Sequence, residues 1–166
     1  MSECRRCKEK FSGFWSAFSP ERWSATTVRS GWENDFARIK SCKSRLFYLT
    51  ADSFLCTKCM ANDNTMLESK IKEATKSFIG VFRHDLPARY GKWTEIGWIK
   101  LTKLDSPAEY ERELKRLAIM AAGCAAIKSY WSKNVESYVA GHGAKGNPYY
   151  RTHTTYSGEA LVVGIK

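Results

Sequence analysis

The chain has 166 residues, of which 43% are hydrophobic and 13% aromatic, and its formal net charge is +10. This composition is sufficient for a packed core and excludes a disordered chain. It contains no stretch of roughly 20 apolar residues that would span a bilayer, and the charged segment Met1 to Lys10 lacks the pattern of a secretory signal. We therefore expect a cytoplasmic protein without a membrane partner, whose six cysteines are thiols or metal ligands rather than disulfides.

The positive charge favours acidic partners, and nucleic acid is the first of these. The basic residues are spread over both halves of the chain and form no tail or block. A basic surface with no role in nucleic-acid binding is the alternative.

Two Cys-x-x-Cys pairs, Cys4 with Cys7 and Cys56 with Cys59, predict one structural metal site. Four thiolates select Zn²⁺ and leave no coordination position open for catalysis. The 48 residues between the pairs exceed the spacing of a compact ribbon, so we predict a zinc-ribbon-like module with a large insertion. Ordinary thiols and a redox dithiol are the alternatives, and Cys42 is a possible substitute ligand.

The polar segment Ala61 to Thr65 follows the second pair and is interpreted as a linker. It divides the chain into a zinc-binding module, residues 1–62, and an α+β domain, residues 63–166. The second part begins with an amphipathic helix near Met66 to Ala74. Strands are predicted at Phe78 to Phe82 and at Thr94 to Leu104.

The clearest predicted element is a long amphipathic helix after Ser106, which is its N-cap. Pro107 takes the first helical position and Glu109 completes a capping box, while Gly123 is expected to end the helix in a left-handed turn. Strands follow at Ala125 to Trp131 and Gly158 to Ile165, separated by a loop. The order of helices and strands predicts the α+β class, with the zinc-ribbon-like module packed on the α+β domain.

The loop between the last two strands contains the remaining candidate site residues. Exposed aromatic side chains next to cations bind nucleic acid by stacking and charge attraction, and this criterion selects Trp131, Lys145, Tyr149, Tyr150 and Arg151. His142 and His153 in the same loop suggest an alternative, a nuclease that uses both imidazoles. His84 lies in a predicted turn that needs no chemical role.

From about Ile96 to Ile165 the chain resembles the YbjQ-type family of small bacterial proteins described as heavy-metal-binding. The resemblance lies in Glu95-Ile96-Gly97-Trp98-Ile99, in the helix with Ala118 and Ala121 to Ile127, and in Ser157 to Val163. It implies an α+β domain that assembles into a ring, commonly a pentamer, with no established catalytic activity. It implies no functional residues, and the segment Tyr130 to Tyr156 is longer than the family pattern.

Together these features predict a non-enzymatic binding or assembly protein with a structural zinc ion and a basic, aromatic surface for nucleic acid or another acidic partner. A nuclease and an oligomeric scaffold without nucleic-acid binding are the alternatives. A homo-oligomer is compatible with the first and third of these functions.

Overall fold

A computed structural model describes residues 1–12, 18–40 and 52–166. Its helices and strands confirm the predicted α+β class. The strands are β1 (Ser2–Glu3), β2 (Lys10–Phe11), β3 (Ile39–Lys40), β4 (Gly80–Phe82), β5 (Trp93–Leu104), β6 (Ala125–His142) and β7 (Pro148–Ile165), and the helices are α1 (Pro20–Ala37), α2 (Thr57–Ser77) and α3 (Pro107–Met120).

The centre of the fold is a five-stranded mixed sheet in the order β3-β5-β7-β6-β4. β4 runs parallel to β6, and the other neighbouring strands are antiparallel. β1 and β2 form a separate two-stranded hairpin at the amino terminus.

The three α-helices of the described residues lie on one face of the sheet, where α3 provides most of the core. Its apolar stripe, which includes Leu114 and Leu117, packs on sheet residues such as Ile99, Leu101 and Val162. α1 adds Phe36 to the same cluster. The opposite face of the sheet has a smaller cluster in which Leu86, from the segment between β4 and β5, covers Ala125, Ile127 and Val163.

The start of α3 agrees with the prediction, but its end does not. The Ser106 hydroxyl accepts a hydrogen bond from the Glu109 N–H at 3.1 Å. At the other end the left-handed residue is Ala122, with φ 59°, and the N–H groups of Ala122 and Gly123 donate to Ile119 and Ala118. Gly123 is required for a different reason, since an added Cβ would lie 2.2 Å from Val162 Cγ1.

The predicted linker Ala61 to Thr65 is helical. α2 runs without interruption from Thr57 to Ser77, and it includes the predicted helix near Met66. Two buried side chains explain this: Asp63 and Leu67 lie one helical turn apart and both are fully buried. The division at residue 62 therefore falls inside a helix, and the two-module organisation remains a prediction.

The predicted loop from Tyr130 to Tyr156 is the largest difference between sequence and structure. β6 and β7 each have 18 residues and continue past the sheet as an antiparallel hairpin, closed by residues 143–147. β5 accompanies β7 only as far as the Leu104–Tyr156 pair. We call residues 134–155, where β6 and β7 pair only with each other in the described structure, the hairpin arm.

None of the helices in the described parts of the chain is long and apolar enough to cross a membrane.

Candidate metal centre and hairpin arm

The first cysteine pair lies in the tight turn between β1 and β2. The Cys4 N–H donates to the Glu9 carbonyl, and the Lys8 N–H donates to the Cys4 carbonyl, both at 2.9 Å. Lys8 takes a left-handed conformation with φ 63°, which reverses the chain after Cys7. The turn thus holds the Cys4 and Cys7 sulfurs beside the second pair.

The second pair opens α2, where Cys56 is the N-cap and Cys59 is the third helical residue. The first turn of a helix presents backbone N–H groups and the positive end of the helix dipole, which complement the negative charge of a metal–thiolate cluster. A short 3₁₀ turn, Asp52–Phe54, precedes the pair.

The four sulfurs of Cys4, Cys7, Cys56 and Cys59 lie within 4.8 Å of one another and could hold a metal ion. The Cys7 and Cys56 sulfurs are 3.7 Å apart. Tetrahedral zinc with Zn–S bonds near 2.3 Å places its sulfurs about 3.8 Å apart, so this spacing is compatible with one shared ion. The Cys56 N–H donates to the Cys4 sulfur at 3.3 Å, and this hydrogen bond orients the sulfur toward the other three.

The electrostatics of the cluster differ from one sulfur to the next. Burial raises the pKa of the Cys4 thiol, but backbone N–H groups of Cys56, Cys7 and Arg6 outweigh it and lower that pKa to about 6. Burial and the neighbouring Cys56, Cys7 and Cys4 sulfurs raise the pKa of Cys59 to about 12. Four crowded sulfurs cannot all carry charge without a cation, and a divalent ion removes this conflict by displacing protons.

α1 covers the cysteine cluster from one side. Ala25 packs with Cys4, Cys56, Cys59 and Met60 in a small buried group. The Arg22 guanidinium donates to the Leu55 carbonyl at 3.0 Å, directly before the second pair. Residues of α1 and α2 therefore surround the cluster and fix the position of the second pair.

A buried ion pair links α1 to α2, and it also contacts the β1–β2 turn that carries Cys4 and Cys7. Asp63 of α2 and Arg29 of α1 are both fully buried, and their charged atoms are 3.9 Å apart. Arg6, which stands between Cys4 and Cys7, also pairs with Asp63. The residues that hold α1 against α2 thus also hold the first cysteine pair, a connection that the sequence alone did not indicate.

The other cysteines have different surroundings. Cys124 is half-buried beyond the end of α3, where its N–H donates to the Val163 carbonyl, and it is not a member of the metal-binding group. Cys42 lies outside the described residues.

The hairpin arm exposes both of its faces. Its exposed large side chains are Val135, Tyr138, Val139, Tyr149 and Tyr150. With nine residues in its first strand, the arm is about 25–30 Å long. Two-stranded hairpins have little intrinsic stability in water, so the arm depends on the sheet at its base, where Trp131 packs against Tyr156 with ring centroids 5.7 Å apart.

The pairing register assigns each side chain of the arm to a face, because opposite residues share a face and successive residues alternate. Tyr138 is opposite Arg151, and Gly141 is opposite Tyr149, so Tyr138, Arg151 and Tyr149 share one face. Val139 is opposite Tyr150, so Tyr150 lies on the other face.

The five predicted nucleic-acid residues therefore do not form one continuous surface. Tyr149 and Arg151 lie together, Tyr150 and Trp131 lie on the opposite face, and Lys145 is in the closing loop. The structure adds Tyr138, which sequence reasoning missed. Val135, Tyr138 and Val139 are β-branched or aromatic residues of the kind enriched in strands, and this enrichment is the signal that would have located it.

The two histidines of the nuclease hypothesis do not converge. His142 pairs with Pro148 at the end of the arm, whereas His153 pairs with Glu136. Six residues of strand separate these positions, about 20 Å. His153 Nε2 instead lies 3.5 Å from an oxygen of Asp105, so the two imidazoles cannot act on one phosphodiester bond within this chain.

His84 is exposed in the turn after β4. The neighbouring Asp85 carboxylate accepts the Leu86 N–H at 2.7 Å. This is the local turn contact expected of an aspartate, and it involves no chemistry at His84.

Comparisons of the chain with protein-family models, with curated proteins and with solved structures find no match. The resemblance to the YbjQ-type family therefore stays a prediction, as do the ring assembly and the homo-oligomer.

Proposed function

We propose that the protein is a non-enzymatic nucleic-acid-binding protein, in which the four-cysteine cluster holds a structural Zn²⁺ ion and the hairpin arm carries the binding surface. The zinc assignment is supported by the ligand set. Four thiolates saturate a tetrahedral ion, and soft sulfur selects zinc over the hard cations. The ion would hold the β1–β2 turn against α1 and α2 and take no part in chemistry.

The observation that carries the binding proposal is the composition of the outer arm. Residues 137–152 contain no aspartate or glutamate, but they contain Lys145, Arg151 and three tyrosines. These tyrosines are 48–65% exposed. The arm thus exposes aromatic and apolar side chains next to cations, on a chain of charge +10. Nucleic-acid binding requires such a surface, because the cations attract the phosphates and the aromatic rings stack on the bases.

A variant with a shortened arm tests this proposal. Residues 135–154 are replaced by Asn-Gly, which favours a two-residue hairpin turn, and binding to a fluorescein-labelled single-stranded oligonucleotide is followed by anisotropy. We expect the wild type to bind at low salt with an affinity that falls as salt rises, and the shortened variant to bind at least about tenfold more weakly.

The matched control removes two positive charges far from the arm. Lys72 and Lys76 are exposed on α2, and their double change to Gln should leave affinity within about threefold. Wild-type protein that does not bind at low salt, or a shortened variant that binds as well as the wild type, would overturn the proposal. Light scattering on both proteins tests the alternative of an oligomeric scaffold, which predicts a stable oligomer that polyanions do not change.

A further inference from the structure

The face of the arm that carries Tyr138, Arg151 and Tyr149 has the arrangement of a base-stacking platform. Opposite residues on paired strands have Cβ atoms about 5 Å apart, and diagonal neighbours about 7–8 Å apart. Tyr138 and Arg151 are an opposite pair, and Tyr149 is two residues before Arg151 on the same strand. Two aromatic rings and one planar guanidinium thus occupy neighbouring positions on a single face.

Gly141 provides the space that the Tyr149 ring occupies on this face. A Cβ at Gly141 would lie 2.6 Å from the Tyr149 hydroxyl oxygen and 2.8 Å from two ring carbons. The Tyr149 ring therefore lies across the backbone of β6 at a position that only glycine permits. One side of the ring is held against the strand, and Tyr149 remains 48% exposed.

The charged residues are distributed unevenly along the arm. Arg151 lies on the outer part of the arm and Lys145 lies in the closing loop beyond the ends of the strands, and residues 137–152 contain no aspartate or glutamate. The first acidic residue toward the base is Glu136, opposite His153. A phosphate backbone would follow the outer part of the arm and avoid the base, because Glu136 repels it.

We propose that the Tyr138–Arg151–Tyr149 face binds the unpaired bases of single-stranded nucleic acid by stacking. This inference rests on the proposed nucleic-acid binding and specifies its substrate. Unpaired bases present π faces that stack on exposed aromatic rings and guanidinium planes of a sheet surface, whereas duplex bases are already stacked on one another.

Neighbouring tyrosines provide the test. Tyr149 and Tyr150 are adjacent in sequence and lie on opposite faces. Tyr150 is the more exposed, at 65%. With a labelled oligothymidylate or oligouridylate of about 20 nucleotides, Tyr149→Ala should weaken binding about tenfold, and Tyr150→Ala by about twofold or less. Tyr149→Phe should retain the affinity, because it keeps the ring.

Gly141→Ala is the most specific variant. The added methyl group displaces the Tyr149 ring without changing any charge or aromatic residue, so it should weaken binding about as much as Tyr149→Ala. Thermal melting of each variant should match the wild type, because these positions lie outside the core. Arg151→Lys keeps the charge but loses the planar group, and we expect a loss of about threefold.

The outcomes separate this inference from the function on which it rests. Preference for either single-stranded probe over a duplex of equal length, with Tyr149 dominant over Tyr150, supports the platform. Equal effects of the two tyrosines, or tighter binding to the duplex, overturn the platform and leave nucleic-acid binding by the arm in place. Absence of binding to every probe at low salt overturns both.

Discussion

The cysteine cluster and the hairpin arm are stabilised in opposite ways. Around the cluster, Cys4, Cys56 and Cys59 are buried, and the buried Arg29 and Asp63 pair with each other across a long separation in the chain. On the arm, aromatic side chains are exposed and the backbone ladder holds the structure together. The difference indicates that substitutions near the cluster will change stability, while substitutions on the arm will change binding.

The largest effect is expected from loss of a cysteine ligand. Cys4→Ser removes a buried thiolate, and metal binding to a four-cysteine site contributes on the order of 10 kcal/mol to folding. We expect the variant to lose its bound metal, measured by elemental analysis, and to melt well below the wild type. Cys124→Ser is the control, since it should change neither the metal content nor, by more than a few degrees, the melting temperature. Wild-type protein purified without zinc, with a melting curve unchanged by chelator, would contradict the metal assignment.

A smaller effect is expected at the buried ion pair. Asp63→Asn leaves the buried Arg29 without its carboxylate, which costs about 3–5 kcal/mol. Urea denaturation measures the loss, and Glu68→Gln, an exposed change on the same helix, should stay within about 0.5 kcal/mol. Because Arg6 also contacts Asp63, we expect weaker metal retention in Asp63→Asn under mild chelation. Equal stability of the two variants would mean that the cluster region tolerates charge loss as the arm does.

The smallest effect on stability is expected on the arm. Val135→Ser and Tyr138→Ala change side chains that are about half exposed, and each should alter the free energy of unfolding by about 0.5 kcal/mol or less. Denaturation in urea checks this, with Leu114→Ala in the core as the contrasting variant at about 2–5 kcal/mol. A large loss in the arm variants would show that the arm is covered by another surface in solution, and the contrast between the two regions would then fail.

Local patterns predicted several elements correctly, because their physical cause is local. The capping residues Ser106 and Glu109 define the start of α3 within one turn of helix. The apolar stripe of α3 specifies its buried face, and the alternation from Thr94 to Leu104 specifies β5. The two Cys-x-x-Cys pairs identified the four cysteines that cluster, because residues three apart in a pair are brought together by a single turn or by the first turn of a helix.

The errors arose where distant contacts decide the structure. Ala61 to Thr65 has the composition of a linker, but burial of Asp63 against Arg29 makes it helical. Gly123 has the position of a left-handed cap, but Ala122 takes that conformation and Gly123 is needed to accommodate Val162. The segment beyond Trp131 combines residues that favour strands with Gly, Ser and Asn, which favour loops, and the cross-strand pairing of β6 with β7 makes it a strand.

The sequence by itself determined the α+β class, the helix α3 and the identity of the four clustered cysteines, because periodicity, capping and ligand spacing act over a few residues. Tertiary structure alone decided how the cysteine pairs meet, which charges are buried beside them, and which tyrosines share a face of the arm. These last features depend on the register between strands and on contacts between residues far apart in the chain. No short stretch of sequence contains the partners that fix them.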